Sequence, residues 1–327
     1  MAMPNFAYVR AKSLKEAIQH LSSDGAKIHA GGTDLLGCLR DDIFGVKKIV
    51  SLSPLNDLRG IRVTKDGGLR IGALTTITEV ADHKMIRERY PALTKAASEA
   101  GSPQLRNQGT MGGNICQKPR CWYYRGDFYC LRKGGDRCYA YQGENHYHAI
   151  FGSGGICYIV HPSDMAPVLM AYESLLRVVG PKGSKLVPFH KFYVLPNEDV
   201  RRETVLKGNE IVTEILLPPP VQGLRSSYRK VRVRRSWDFA LAGVALAIQL
   251  NGNRVERARV VLSGAAPIPW RSKEVEEAIT GKRLDADTVA HAAEAAVKKA
   301  ETLEHNTYKV PLFRGIIEEE LLAMAIT

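Results

Sequence analysis

Residues 27–36 read KIHAGGTDLL and residues 101–116 read GSPQLRNQGTMGGNIC, and these two stretches decide how the chain folds. In the first, a short apolar run ends in paired glycines and a Thr-Asp; in the second, glycines alternate with amide and hydroxyl side chains. A glycine has no Cβ, so the backbone N–H groups around it can close on a phosphate. Thr33, Asn107, Thr110 and Asn114 supply neutral donors, Arg106 a fixed positive charge, and Gly109, Gly112 and Gly113 a tight backbone. A diphosphate needs donors converging from several directions, and loops from two different strands can cover it from both sides. Neither stretch is a Walker loop, because no GKS or GKT follows, and neither carries GxGxxG. Paired glycines also make plain turns, so the residues alone leave two unrelated surface turns open.

Working outward, Ser13 to Ser22 (SLKEAIQHLS) sets Leu14, Ala17, Ile18 and Leu21 at helical spacing behind a Ser13 cap. Lys47–Ser53 and Leu69–Ala73 read as strands, and Pro91–Ala100 as a helix. Thr75–His83, TTITEVADH, reads as a capped helix start with Glu79 in its first turn. Pro218, Pro219 and Pro220, followed by Val221, Gln222 and Gly223, can continue neither a helix nor a central strand and mark a domain boundary. Past it, the alternation in YRKVRVRR (228–235) predicts a strand with one solvated face, and the alanines of Thr288–Leu303 predict a packed terminal helix.

With 327 residues, 45% of them hydrophobic, the chain can bury the cores of about two domains. Its 46 Lys and Arg outnumber 34 Asp and Glu, a formal charge of +12 that suits an anionic cofactor, an acidic protein surface or nucleic acid, or simply favours solubility. The N-terminal stretch lacks a continuous apolar core and no later window holds about 18 uncharged apolar residues. The expectation is a cytoplasmic chain without a membrane span, compatible with export alongside a signal-bearing partner.

Six cysteines without an export signal argue against a disulfide framework. Four of them, Cys121, Cys130, Cys138 and Cys157, fall within 37 residues in the spacing Cys-x8-Cys-x7-Cys-x18-Cys. Four thiolates can hold zinc or an iron–sulfur cluster. The closely spaced pairs common in structural zinc sites are missing, whereas a cubane gives each cysteine its own iron and tolerates wide spacing. Chemistry alone leaves cluster, zinc and non-ligand cysteines open. The density of Trp, Tyr and Phe around them argues against disorder. Cys38 reads as a small buried hydrophobe and Cys116 as a structural thiol, while His146, His148 and His161 read as polar surface residues.

The succession AGGTDLL, LRIGALTTITEVADH, LRNQGTMGGNIC and HPSDMAPVLMA resembles the FAD-binding medium subunit of the molybdenum hydroxylases, the xanthine dehydrogenase and carbon monoxide dehydrogenase group. LKGNEIVTEILLPPP (206–220), YRKVRVRRSWDFALAGVALAI (228–248), ARVVLSGAAPIPWR (258–271) and HNTYKVPLFRGII (305–317) extend the resemblance over nearly the whole chain. It implies an α+β protein: a two-subdomain FAD-binding fold of the PCMH type at residues 1–217 (subdomains 1–55 and 56–217), then a C-terminal α+β domain at 221–327 with an antiparallel sheet and a helical bundle. It implies FAD contacts at Ala30, Gly31, Gly32, Thr33, Asp34, Arg106, Asn107, Gly109, Thr110, Gly113, Asn114, Ser163, Asp164 and Lys230.

In ordinary members of that family the NIC segment runs almost directly into the helix that opens with Pro-Ser-Asp, so residues 117–160 read as an insertion. The insertion is similar to that of the 4-hydroxybenzoyl-CoA reductase beta subunit and of bacterial aldehyde oxidoreductases, which implies a [4Fe-4S] cluster on Cys121, Cys130, Cys138 and Cys157. The run GENHYHAIFG before Cys157 and HPSD after it are closer to the aldehyde oxidoreductase form. The resemblance thus implies an electron-transfer subunit with no catalytic acid or base, beside a large molybdopterin subunit and a small [2Fe-2S] subunit, and no nucleic-acid partner. Electrons run outward to an external acceptor, or inward as in the reductase type; neither NAD nor ferredoxin has a recognisable motif. The rival class is a zinc-stabilised nucleic-acid-binding module, drawn from the charge and the four-cysteine loop.

Overall fold

Parallel strands need crossovers, and the N-terminal third of the first region supplies them with helices. In the computed structural model, which describes residues 3–326, β1 (Ala7–Arg10), α1 (Leu14–Leu21), β2 (Ala26–His29), α2 (Leu35–Arg40) and β3 (Lys48–Ser51) form a parallel sheet of order β1-β3-β2. Ser13 caps α1, its hydroxyl accepting from the Glu16 N–H at 3.1 Å, and Ala17 and Leu21 then pack on Val50 and Leu52.

β4 (Ile61–Val63) and β5 (Leu69–Gly72) open a second sheet. The chain leaves it through α3 (Ile77–Asp82), α4 (Lys84–Arg89), α5 (Pro91–Glu99), α6 (Pro103–Gln108), α7 (Met111–Ile115), α8 (Trp122–Arg125) and α9 (Met165–Ala171). It returns as β6 (Leu175–Gly180), β7 (Gly183–Pro188) and β8 (Ile211–Leu217), giving the antiparallel order β4-β5-β8-β6-β7. α3 starts in a full capping box between Thr76 and Glu79, and Pro91 and Pro103 open α5 and α6, where a missing N–H costs nothing. Leu93, Ala97, Met165 and Leu169 from α5 and α9 join Leu69, Ile71, Leu176 and Ile215 from the sheet in one core.

The third sheet, β9 (Leu224–Val231), β10 (Ala242–Asn251), β11 (Arg254–Ser263) and β12 (Trp270–Arg271), is antiparallel in the order β12-β11-β10-β9. Alternate residues of β10 feed two cores. Val244, Leu246 and Ile248 pack with residues of α10 (Lys273–Ile279), α11 (Ala286–Val297) and α12 (Lys309–Ile326), while Ala245 and Ala247 join the core of the second sheet. Burial on both faces explains why GVALAI reads as a continuous apolar run.

Two expectations change in detail. The alternating strand ends at Val231, and Tyr228 and Lys230 point into the protein, so its basic residues do not share one solvated face. The alanine-rich helix is α11 but stops at Val297, and the last helix of the described chain is α12. Pro311 and Gly315 mask α12 from a propensity reading, although proline is tolerated in a first turn. Residues 117–160 are largely irregular, broken by α8 and one 3-10 turn at Leu131–Lys133. Among the described residues no helix is long and apolar enough to cross a membrane.

Candidate functional site

The two glycine-rich stretches meet in space. A Cβ built on Gly31 would lie 1.8 Å from the Gln108 carbonyl oxygen, so only glycine permits the approach. Gly32 has φ +75°, the left-handed region that glycine enters freely. The second stretch is pinned to the end of β5, with the Gly112 N–H donating to the Ala73 carbonyl at 2.8 Å and Met111 N–H to Thr75 at 2.9 Å. A cleft of about 790 Å³ runs alongside, and Gly31, Gly32, Thr33, Asp34, Arg106, Gly109, Gly113, Asn114 and Asp164 line it. That volume is in the range of cofactor sites. Ala30 and Thr110 line an adjoining cavity of about 250 Å³, next to apolar Leu52, Leu74, Leu206 and Ile211.

Several expected contacts have other work. Thr110 caps α7, its hydroxyl accepting from the Gly113 N–H at 3.1 Å. Asn107 lies outside the cleft lining, exposed, and accepts from the Thr78 hydroxyl at 2.7 Å. Arg106 lines the cleft while donating to the Ala100 carbonyl at 3.1 Å. Ser163 donates to Asn114 and accepts from the Ala166 N–H at 3.0 Å, tying the second loop to the start of α9. Asp34 is turned toward residues 118–125, accepting from the Lys118 N–H and from Arg125, each at 2.7 Å.

Asp164 is the charged floor of the cleft. Its carboxylate accepts from the Tyr228 hydroxyl at 2.7 Å and from Lys230 at 2.9 Å, and all three residues are buried. Burial pushes the Asp164 carboxyl above its usual range, against the pull of the Lys230 ammonium. Lys230 stands behind Asp164 and reaches the cleft through it. The loop after β9 adds Trp237, Asp238 and Phe239 to the cleft wall, with the Arg120 guanidinium 5.4 Å from the Phe239 ring centre. Sequence reasoning assigned no role to this SWDF stretch; its only local signal is a pair of aromatic residues in an irregular segment.

The four clustered cysteines also meet. Cys121, Cys130, Cys138 and Cys157 line one small cavity together with Tyr124, Arg132, Tyr139 and His148. The space between them is about 10 Å³, room for one water. Hydrogen bonding between Cys138 and Cys157 holds one thiol of the pair down, at Cys138, and the other up, at Cys157. Burial pushes Cys121 up to about 11. His148, expected on the surface, is buried with Nε2 3.2 Å from the Cys121 sulfur, and burial lowers its pKa to about 4. His161 is likewise buried, against the Tyr193 ring at 4.5 Å, and burial lowers its pKa to about 3. Arg132 is buried and ion-paired with Glu203.

Among the described residues all six cysteines are free thiols, and no three His, Cys, Asp or Glu side chains converge on a single-ion position. A four-iron cage asks for a different arrangement, one thiolate on each iron at separate corners, so convergence on a point is not its requirement. A further cavity of about 250 Å³, lined by Cys121, His148, His161, Ser163, Asp164 and Phe239 among others, lies between the cysteine pocket and the cleft.

These features define a cofactor-carrying α+β protein built from two matched parts. Residues 4–220 match the family described as FAD binding domain in molybdopterin dehydrogenase, and residues 226–325 match the CO dehydrogenase flavoprotein C-terminal domain. The chain belongs to the FAD-binding medium subunits of the molybdenum hydroxylase family, flavoprotein subunits of oxidoreductase complexes in which substrate chemistry takes place on the molybdenum subunit. It is 35% identical to the aldehyde oxidoreductase FAD-binding subunit PaoB of Escherichia coli K12, over 98% of each chain. It is 30% identical to the glyceraldehyde dehydrogenase medium chain of Sulfolobus acidocaldarius, over 88% of this chain and 86% of the other. Among solved structures it is similar to a chain of carbon monoxide dehydrogenase from Hydrogenophaga pseudoflava, at a TM-score of 0.77 and 26% identity, over 98% of this chain and 96% of that one.

Proposed function

We propose that this chain is the FAD- and [4Fe-4S]-carrying electron-transfer subunit of an aldehyde oxidoreductase-type molybdenum hydroxylase, working with a large molybdopterin subunit and a small [2Fe-2S] subunit and reducing an external acceptor. The observation that carries it is the assembly of two remote glycine loops along one cleft, with four cysteines gathered around one pocket beside it. The name of the PaoB relative supports the aldehyde oxidoreductase type over inward flow of the reductase kind. Residues 1–217 form the flavin part, 117–160 the cysteine-rich insertion and 221–327 the C-terminal domain; the breaks between the second and third sheets and between the two family matches support this division.

Bound FAD supplies two-electron and one-electron chemistry in one group. The chain's own residues hold and orient it. Gly31, Gly32, Gly109 and Gly113 let backbone N–H groups approach the pyrophosphate, Thr33 and Asn114 add donors, and Arg106 adds positive charge. Fixed by Tyr228 and Lys230, Asp164 presents an acceptor where the cleft meets the intervening cavity. The apolar cavity at Leu52, Leu74, Leu206 and Ile211 suits a flat aromatic ring. For the cluster, the donor set fits: Cys121, Cys130, Cys138 and Cys157 are four thiols around one pocket, with the Arg132 charge in its wall.

The test is the metal and flavin content of the chain purified in its complex. We expect about one FAD per copy of this chain, and about four irons beyond those carried by the [2Fe-2S] subunit. Cys138→Ser removes those four irons and keeps the FAD and the [2Fe-2S] iron; an iron content equal to the parent's excludes Cys138 as a ligand. A preparation containing zinc, with neither iron nor flavin, overturns the whole reading in favour of a zinc-stabilised module.

A further inference from the structure

The aspartate of the first glycine loop faces away from the role its position suggests. Asp34 is the N-cap residue of α2, where an aspartate ordinarily accepts from the first free N–H groups of the helix, yet its side chain makes no cap bond. Both carboxylate oxygens are instead taken by residues 118–125. Oδ2 accepts from the Lys118 N–H at 2.7 Å; Oδ1 accepts from Arg125 at 2.7 Å and lies 3.0 Å from Arg120. The side chains of Asp34 and Arg125 are 17% and 13% exposed, so this is a shielded pair rather than a solvated one. Arg125 is fixed in turn by donating through Nε to the Pro119 carbonyl at 2.8 Å.

A second, apolar contact lies one turn further along. Cys38 of α2 and Ile43 after it share a core with Tyr124 and Cys130 of the cysteine-rich segment. The segment therefore grips the unit of glycine loop and α2 at both ends, by charge at Asp34 and by packing at Cys38. A carboxylate turned toward a pyrophosphate would repel it; turned toward two guanidinium groups, it stabilises the loop and leaves the backbone N–H groups to the anion.

We propose that Asp34 is a positioning residue and not a flavin contact: through Arg125, Arg120 and the Lys118 N–H it lets residues 117–125 hold the 31–34 loop in the shape that binds FAD. The proposal rests on the reading of that loop as part of the FAD site.

Its test is a double-mutant cycle on the full chain in its complex, reading the FAD dissociation constant by flavin fluorescence and the iron content of the same samples. Asp34→Asn and Arg125→Gln are each expected to weaken FAD roughly ten-fold or more, as breaking a shielded charge pair does. The double variant is expected to be no weaker than the worse single one, because both substitutions remove the same bond. Arg125→Lys keeps the charge and should recover part of the affinity, which separates a lost latch from a misfolded segment. Additive losses, or an Arg125→Gln chain that binds FAD as tightly as the parent, overturn the proposal. A Gly31→Ala chain with unchanged FAD affinity sinks the underlying site reading instead, and the latch with it.

Discussion

The flavin cleft and the cysteine pocket are built by opposite means. The cleft takes its shape from backbone in close approach and from a buried charge that is paired: Gly31 against Gln108, and Asp164 against Tyr228 and Lys230. The cysteine pocket is walled by side chains, and among the described residues two buried polar atoms around it, His148 Nδ1 and Arg132 Nε, find no hydrogen-bond partner. Two buried lysines show the contrast. Lys230 meets a carboxylate, whereas Lys309, behind the segment that carries His148, donates to the carbonyls of Gly264 at 2.7 Å and Tyr147 at 3.3 Å. Burial lowers the Lys309 pKa to about 7. The cleft is sensitive to added volume, and the pocket to charge.

Adding one methyl group to the cleft is the harshest way to break this contrast. In Gly31→Ala the new Cβ meets the Gln108 carbonyl at 1.8 Å, so the loops must part. We expect FAD per purified chain, read from flavin absorbance, to fall below about a tenth of the parent's, a loss above about 1.4 kcal/mol of binding free energy. Full occupancy would show that the approach of the two loops does not shape the site.

The paired lysine comes next. Lys230→Met leaves Asp164 buried without its cation, and breaking such a pair costs about 3–5 kcal/mol. A denaturation midpoint lowered to match, and largely restored when Asp164→Asn is added, is the expected result. If the single substitution is neutral, the charge at the cleft floor is compensated by another group.

The lysine without a carboxylate gives an effect that depends on pH. Its folded pKa, about 7, lies below the 10.5 of an ordinary lysine, so between these values the unfolded chain binds more protons than the folded one. Stability carried by this group therefore rises with pH across that window. Lys309→Met should flatten the rise, seen as a shallower dependence of the denaturation midpoint on pH between pH 7 and pH 10. Identical slopes in the two chains would mean that Lys309 stays charged in the fold.

Much of the scaffold was legible because its signals are local. Ser13 before α1, Thr76 with Glu79 at α3 and the proline opening α5 act within one helical turn, and each element formed where its cap stood, whereas the stretch 101–116, read as a glycine-rich loop, holds the short helices α6 and α7. The β3 and β5 patterns were equally plain. α12 was not, because Pro311 and Gly315 lower its propensity while tertiary packing of Phe313, Ile317 and Leu321 sustains it. Lys230 looked like one member of a basic surface run until its carboxylate partner was in view, and His148 looked like a surface histidine for the same reason.

By itself, then, the sequence determined the elements with local caps or plain periodicity, the family, and which residue types were available: glycines free of Cβ, four clustered thiols, and a surplus of basic charge. Tertiary structure alone decided who meets whom. Asp34 and Arg125 are 91 residues apart, Asp164 and Lys230 66, and Cys121 and His148 27. Such pairs leave no periodicity in the chain, because the free energy that selects them comes from burial, which exists only after the sheets have packed. That is why the glycine stretch could be recognised from its residues, while the work of its aspartate could be read only from the fold.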